Sequence, residues 1–294
     1  MFTLAHVTDP HFRSFAGARP AQFFSKRAVG ALNLLVNRRR QHKMELLTDL
    51  AEDLRTRQPD HLALTGDLGN VSLESEWQAA LTWITALERL PETVTVIPGN
   101  HDTYTPEVVV AGTFERLFAP YQTAQHRQDP SLYPFVRIRG EVALIAVNTC
   151  VPTQDLGAWG KIGEDQLQRL QALLTLPALT NKTRVVLLHH PPVVHKPGEH
   201  RNLRDRAALA AVLARTGADL VLHGHDHQDE IAHLPGPNNT RIPIIGAGSA
   251  SYAGSGERRS RYNVYAIEGK TLTATTYVHR ESSNRFTEAK RLSF

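Results

Sequence analysis

Side chains that can bind metal ions or carry protons recur in this chain directly after short apolar segments. Five such segments are followed by residues of this kind: Asp9 and His11; Asp67; Asn100, His101 and Asp102; His189; and His225 and His227. Imidazole, carboxylate and amide groups without thiolates are the usual ligands of Mn²⁺, Fe or Zn²⁺, rather than those of a cysteine-rich structural site. The pattern therefore predicts a centre that binds such ions.

The spacing and the number of these residues indicate more than one ion. Asp9 and His11 are two residues apart, and so are His225 and His227, so the members of each pair face the same side of an extended chain. A catalytic ion commonly takes about three protein ligands. The candidate donors exceed that number, and we therefore expect two ions.

The apolar segments themselves are predicted to be buried β-strands. Residues 94–97 form a β-branched run that ends at Pro98-Gly99, a strong turn signal. Open α/β sheets place their ligands at the carboxyl ends of such strands. We predict strands at 4–8, 61–65, 94–97, 184–188 and 220–222. The predicted helices are 43–57, 72–90 with Ser72 as its N-cap, 164–174 and 205–215.

This order of elements predicts one α/β domain of two packed sheets over residues 1–294. A hairpin is predicted at 135–138 and 142–148. From about residue 240 the chain is mainly β, with antiparallel strands predicted at 241–245, 263–267 and 271–278. An additional amphipathic segment at about 20–42 follows the first strand.

The composition argues against several classes of protein. Cys150 is the only cysteine in 294 residues, which excludes an intramolecular disulfide and fits a reducing compartment. The N-terminus lacks the regions of a secretory signal peptide, and no run approaches the ~20 apolar residues of a membrane span. The net charge of +4, without a basic patch interleaved with aromatic residues, gives no indication of nucleic acid. We expect a cytoplasmic protein, with a peripheral position at the inner face of the membrane as the alternative.

Taken together, the five blocks resemble the calcineurin-like metallophosphoesterases. The pattern of that family is D-x-H, GD, GNH followed by D or E, a lone H, and GHxH, in that order. The chain has all five blocks in order: Asp9-Pro10-His11, Gly66-Asp67, Gly99-Asn100-His101-Asp102, His189 and Gly224-His225-Asp226-His227. The segment Leu188-His189-His190-Pro191-Pro192 is most similar to the branch that contains bacterial cyclic-nucleotide and glycerophosphodiester phosphodiesterases. Asn70 stands where some members carry a second Asp, as in that branch.

The resemblance implies a role for each of these residues. It implies two overlapping ligand sets: Asp9, His11, Asp67 and His227 for one ion, and Asp67, Asn100, His189 and His225 for the other. Asp67 would bridge the ions, because a carboxylate has two oxygens and can neutralise two cations. His101 would face the substrate phosphate, and Asp102 would lie behind His101 and orient it. The implied fold is a calcineurin-like four-layer sandwich, with two mixed β-sheets packed face to face and flanked by helices.

On this resemblance we expect a dinuclear metal-dependent phosphodiesterase that hydrolyses a small phosphodiester such as a cyclic nucleotide. Two divalent ions (Mn²⁺, Fe or Zn²⁺) about 3.5–4 Å apart clamp a phosphoryl group and lower the pKa of a bound water, so that a bridging hydroxide can attack phosphorus. Asn100 and His101 would contact the substrate, and a protonated His101 could protonate the leaving oxygen. One alternative is hydrolysis of a lipid-linked phosphodiester or pyrophosphate at a membrane surface. Another is a non-catalytic metal-binding scaffold.

Residues 21–40 leave two interpretations open. Apolar residues recur there at helical spacing, and three arginines close the segment at 38–40. The segment could be a helix packed on the scaffold, or a lid or interfacial helix that borders the site and contacts anionic lipid. His195 is a further candidate for substrate contact. Solvation in a loop is predicted for His190 and His200, and a structural or solvated role for His6, His42, His61, His223 and His233.

Overall fold

In the computed structural model, the described residues 1–17, 41–128, 132–153, 157–194 and 200–294 form two mixed β-sheets. The first sheet contains β1 (Phe2–Val7), β2 (His61–Thr65), β3 (Val94–Ile97), β11 (Arg261–Glu268), β12 (Thr271–Arg280) and β13 (Arg285–Ser293). The second contains β4 (His126–Arg127), β5 (Phe135–Arg139), β6 (Val142–Ala146), β7 (Thr183–Leu187), β8 (Leu220–His223), β9 (Glu230–Pro235) and β10 (Arg241–Gly246). The strand orders over these ranges are β13-β12-β11-β1-β2-β3 and β4-β5-β6-β7-β8-β10-β9.

The two sheets pack face to face, and helices cover their outer faces. The α-helices are α1 (Met44–Arg57), α2 (Glu74–Ala86), α3 (Pro106–Ala111), α4 (Thr113–Phe118), α5 (Glu164–Leu174) and α6 (Arg206–Thr216). Leu4 and Ala63 of the first sheet pack with Leu144 of the second in the core between the sheets. The intervening residues Ala5 and Leu64 point to the other side and pack against α1 and α2. Helices α5 and α6 cover the outer face of the second sheet in the same way.

This alternation explains why the central strands are apolar along their whole length. A strand that is buried on both faces needs apolar side chains at odd and even positions alike. All residues of β2 and of β6 are buried, for example. The layers are therefore helix, sheet, sheet and helix, which confirms the predicted two-sheet sandwich.

Most of the predicted elements are present, with several differences. The helix predicted at 72–90 spans Glu74–Ala86, and Ser72 does not cap it. The Ser72 hydroxyl donates instead to the carbonyl oxygen of His101 and accepts from the N–H of Tyr104, both at 2.8 Å. The carboxylate of Glu76 accepts hydrogen bonds from the backbone N–H groups that precede the helix.

The antiparallel arrangement predicted for the last strands is only partly correct. β11 and β12 pair antiparallel, as predicted. β10 belongs to the other sheet, where it is parallel to β8 and antiparallel to β9. The sequence did not reveal β9 and β13, which are half exposed or largely exposed along their length.

The parallel strands place their carboxyl ends on one edge of the molecule. β1, β2 and β3 are parallel neighbours in the first sheet, and β6, β7 and β8 are parallel neighbours in the second. The segment 21–40 and His195 lie outside the described residues. Within the described part of the chain, no helix is both long enough and apolar enough to cross a membrane.

Candidate metal centre

The carboxyl ends of five strands deliver the predicted ligands to one place. Asp9 follows β1 and Asp67 follows β2, and the two loops run side by side: the N–H of Asp9 donates to the carbonyl oxygen of Gly66, and that of His11 to the carbonyl oxygen of Asp67, both at 3.1 Å. Across the sheets, the N–H of His225 donates to the Asp9 carboxylate at 3.0 Å. The loops of the two sheets are thus held together by hydrogen bonds that include a ligand side chain.

The backbone at these positions is unusual. Several of the predicted ligands have positive φ values: Asp9 (51°), His11 (48°), Asp67 (54°), His225 (74°) and His227 (53°). Such conformations cost free energy in residues other than glycine and persist only where the surroundings enforce them; they cluster at functional sites. Their concentration after the strands that carry the predicted ligands supports a functional centre at this edge.

A first cluster contains Asp9, His11, Asp67 and His227, and one ligand atom of each lies within 4.8 Å of those of the others. His227 Nε2 is 3.1 Å from the Oδ1 atom of Asp9 and 3.2 Å from the Nε2 atom of His11. Two ring nitrogens that face each other beside two carboxylates are a geometry that a shared cation stabilises. Carboxylate and imidazole are suitable donors for Mn²⁺, Fe or Zn²⁺.

A second cluster lies on the other side of Asp67. The side-chain oxygen of Asn100 is 2.9 Å from His225 Nδ1 and 3.1 Å from His189 Nε2. His189 Nε2 is 3.5 Å from the Oδ1 atom of Asp67, while the Oδ2 atom of Asp67 is 3.9 Å from His11 of the first cluster. The two oxygens of Asp67 therefore face different clusters, as a bridging ligand requires.

The second nitrogen of three of these rings is fixed by a backbone carbonyl. His11 Nδ1 lies 3.1 Å from the carbonyl oxygen of Gly69, His189 Nδ1 lies 2.8 Å from that of Thr65, and His225 Nε2 lies 3.0 Å from that of Arg201. A carbonyl oxygen only accepts, so each of these nitrogens carries the hydrogen. The lone pair of each neutral ring is then on the nitrogen that faces the cluster, which is the usual arrangement of metal-binding histidines. The residues present thus fit two divalent ions.

The surroundings of Asp9 and His225 favour the protonation states in which these side chains can bind a metal ion. Burial alone would raise the pKa of the Asp9 carboxyl, but the neighbouring His227 and His189 and the Thr8 hydroxyl hold that pKa below its ordinary range. Burial, together with neighbouring His190 and His189, lowers the pKa of His225 well below its ordinary value. An anionic carboxylate and a neutral imidazole are the forms that coordinate a metal ion.

His101 lies beside Asp67, at the boundary of the site. Its N–H donates to the Oδ1 atom of Asp67 at 2.7 Å, and its Nδ1 donates to the carbonyl oxygen of Asn70 at 2.5 Å. The ring stacks on that of Tyr104, with centroids 5.7 Å apart and an interplanar angle of 12°. The side chain is partly exposed, unlike the histidines of the second cluster. Its Nε2 is therefore the nitrogen that could act on a substrate.

Asp102 does not lie behind His101 and orient it, contrary to the prediction. Its carboxylate accepts four hydrogen bonds of 2.9–3.0 Å, from the backbone N–H groups of Leu68, Gly69 and Gly99 and from the indole of Trp77. Burial raises the pKa of Asp102, while these donors oppose the rise. The reason for the difference is that the turn after β3 directs the side chain inward, between the two loops. Asp102 thus positions the loops that carry Asp67, Asn100 and His101.

Comparison with known proteins agrees with this geometry. The sequence model of the calcineurin-like phosphoesterases matches residues 2–229. The chain belongs to the calcineurin-like phosphoesterase family. No curated protein sequence matches it significantly.

Solved structures show the same fold at low sequence identity. A dimetal phosphatase from Danio rerio superposes with a TM-score of 0.67 at 12% identity, over 99% of this chain and 98% of that one. A purple acid phosphatase from yellow lupin (Lupinus luteus) seeds superposes with a TM-score of 0.63 at 12% identity, over 99% of this chain but 53% of that one. At this identity, both establish the fold alone.

Two further histidines border the two clusters. The prediction that His190 is solvated in a loop is wrong, because the residue is buried; His42, predicted to be structural or solvated, is buried as well. His190 is fully buried, with Nδ1 2.8 Å from the Thr149 hydroxyl and its ring 4.5 Å from that of His225. His42 lies beside His11 and His227, with one ring nitrogen within 4.8 Å of theirs. No motif predicts the position of His42, and the only sequence signal for His190 is that it follows His189 directly.

Proposed function

We propose that this calcineurin-like phosphoesterase is a metal-dependent phosphodiesterase that acts on a small phosphodiester such as a cyclic nucleotide. The observation that carries the proposal is the pair of ligand clusters that share Asp67, with His101 at their boundary. The resemblance of the segment 188–192 to the bacterial phosphodiesterase branch supports a diester as substrate. The two structural neighbours are named as phosphatases, so a monoester is the competing substrate class.

Different residues would hold the two ions and contact the substrate. Asp9, His11, Asp67 and His227 would hold one divalent ion, and Asp67, Asn100, His189 and His225 the other. Two bound ions supply positive charge for the phosphoryl oxygens and a nucleophile at neutral pH. The partly exposed His101 would contact the phosphate through Nε2, because Nδ1 is held by the carbonyl oxygen of Asn70. In its protonated form it can give a proton to the leaving oxygen, a contribution of typically about 10²–10⁴-fold.

The test compares hydrolysis of bis(p-nitrophenyl) phosphate and p-nitrophenyl phosphate, with added Mn²⁺ and with chelator, for the wild type and His101→Ala. His233→Ala is the matched control, since His233 is exposed on β9. We expect metal-dependent turnover that favours the diester, a fall of about 10²–10⁴-fold in His101→Ala, and no change in the control. A preference for the monoester would refute the phosphodiesterase assignment. Protein that binds two ions and hydrolyses neither ester would leave the lipid-linked substrates considered below and the non-catalytic scaffold.

A second candidate is hydrolysis of a lipid-linked phosphodiester or pyrophosphate at a membrane surface. The observation that favours it is the place where the basic amphipathic segment ends: Gln41 and His42 follow the three arginines directly, and the His42 ring is 4.6 Å from that of His11. His42, two residues after the last arginine, is therefore at the centre itself. Binding to anionic liposomes, with hydrolysis of a lipid-linked ester but of no soluble diester, would support this candidate over the first. Failure to bind such liposomes would argue against it.

A further inference from the structure

His42 has the surroundings of a metal ligand, although no motif block contains it. The side chain is 2% exposed. Its ring centroid is 4.6 Å from that of His11 and 5.6 Å from that of His227, and both contacts are edge to face. One ring nitrogen of each of the three histidines lies within 4.8 Å of those of the other two. Three imidazoles therefore converge beside the first cluster, with which this group shares His11 and His227 but not the two carboxylates.

The backbone holds His42 in this position through a loop that also supports Asp9. Residues 41–43 pair with residues 251–253: His42 and Tyr252 form an antiparallel bridge, and the N–H of Lys43 donates to the carbonyl oxygen of Ser251 at 3.0 Å. The same loop contains Ser249, whose hydroxyl donates to the carbonyl oxygen of Asp9 at 2.7 Å. The loop after β10 thus fixes a ligand of the first cluster and His42 at the same time.

A hydrogen bond to Ser251 also orients the ring of His42. Its Nδ1 is 2.8 Å from the hydroxyl of Ser251, which is fully buried. A metal-binding histidine almost always hydrogen-bonds through the nitrogen that does not bind the ion, and this bond fixes its tautomer and direction. With the hydrogen on Nδ1 and donated to Ser251, the lone pair of His42 is on Nε2. A hydroxyl can donate or accept, and the tautomer in which it accepts from Nδ1 is the one that gives His42 the arrangement of His11 and His189.

We propose that His42 is a fifth protein ligand of the ion held by Asp9, His11, Asp67 and His227, and that Ser251 positions it. The inference rests on the proposed two-ion centre and goes beyond it, since the family pattern places four side chains around this ion. A third imidazole makes this position richer in nitrogen than the other one. Imidazole donors suit Zn²⁺ and Fe better than Mg²⁺ or Ca²⁺, so the first position should discriminate more strongly between metals.

The test is equilibrium binding of Zn²⁺ to metal-free protein, measured by competition with a chromophoric chelator, for the wild type, His42→Ala, His42→Asn and Ser251→Ala. The side chain introduced by His42→Asn is too short to reach the ion but keeps a hydrogen-bond donor for Ser251. We expect both His42 variants to lose at least about 10-fold in affinity for one of two ions and to keep the wild-type affinity for the other. Ser251→Ala should lower the affinity for the same ion by a smaller factor, and His233→Ala should leave the affinities for both ions unchanged.

Wild-type affinity for both ions in His42→Asn would overturn the proposal. A zinc-bound crystal structure of the wild type gives a second answer that does not depend on the folding of any variant: a His42 ring nitrogen is expected about 2.0–2.1 Å from the ion, and a nitrogen beyond bonding distance would also overturn the proposal. Failure of the proposed function would look different. In that case the wild type would not bind two ions, or would bind two without hydrolysing a phosphoester.

Discussion

Replacing Asp102 by asparagine tests whether this side chain organises the two loops of the metal centre. The change is nearly isosteric, but it exchanges one carboxylate oxygen for an NH₂ group, which donates and does not accept. Each carboxylate oxygen accepts two hydrogen bonds: Oδ1 from Gly69 and Trp77, and Oδ2 from Leu68 and Gly99. Whichever oxygen is exchanged, two buried N–H groups lose their acceptor and face another donor.

The magnitude follows from those two groups. A buried donor left without its partner costs about 1–3 kcal/mol, so Asp102→Asn should lower the free energy of unfolding by about 2–6 kcal/mol. The loss of a buried charge offsets part of this, because burial penalises the ionised form of Asp102. We therefore expect a result toward the lower end of the range. Phosphoester hydrolysis should fall as well, because the loops carry Asp67, Asn100 and His101.

The assay is urea unfolding of the metal-free wild type and variant, read as the shift of the midpoint at unchanged slope. Asp165→Asn is the control, since Asp165 is exposed in the first turn of α5 and its replacement should cost no more than about 1 kcal/mol. A loss below about 1 kcal/mol in Asp102→Asn would refute the loop-organising role. Wild-type stability together with a shifted pH profile of turnover would show that Asp102 acts on His101 after all.

Three further perturbations have defined outcomes. Burial raises the pKa of Glu76 to about 7 from an unfolded value near 4.5, so the folded state binds the extra proton and the stability of the wild type falls as pH rises through this window. The free energy of unfolding of Glu76→Gln, relative to the wild type, should therefore be roughly 3 kcal/mol more favourable at pH 8 than below pH 4.5. Urea unfolding at the two pH values checks this, and an equal difference at both would contradict it. Gly99→Ala should lower the free energy of unfolding by about 1–3 kcal/mol and weaken ion binding, because the added Cβ would collide with the backbone N and Oδ1 of Asp67. If the variant bound Mn²⁺ in calorimetry as tightly as the wild type does, this close approach of the two loops would be contradicted. Chelation should lower the melting temperature, because ions that bind only the folded state stabilise it by mass action, and an unchanged melting temperature would argue against both clusters as ion sites.

The sequence predicted the parts of the site that follow local rules. The strands before Asp9, Asp67 and Asn100 were located to within a few residues, because a short, mainly apolar run that ends near a glycine or proline has few alternatives. The parallel order then brings their carboxyl ends together without any further information. The fold class was predictable for the same reason.

The parts that the sequence missed depend on contacts between distant segments or on the direction of one turn. Ser251, which bonds His42, is 209 residues away in the chain. Asp102 is adjacent to His101, yet it points to three backbone N–H groups that no side-chain pattern reveals. β13 was missed because it lies at the edge of its sheet, where charged, exposed side chains replace the alternation of a half-buried strand.

The most direct test of a shared two-ion phosphoesterase centre is the hydrolysis rate of bis(p-nitrophenyl) phosphate as a function of the number of Mn²⁺ ions bound per chain. If the two clusters joined by Asp67 act together, the rate rises to its maximum at two bound ions and returns to background with chelator. Full activity with one ion or none would contradict the shared centre, as would two tightly bound ions without hydrolysis of any phosphoester.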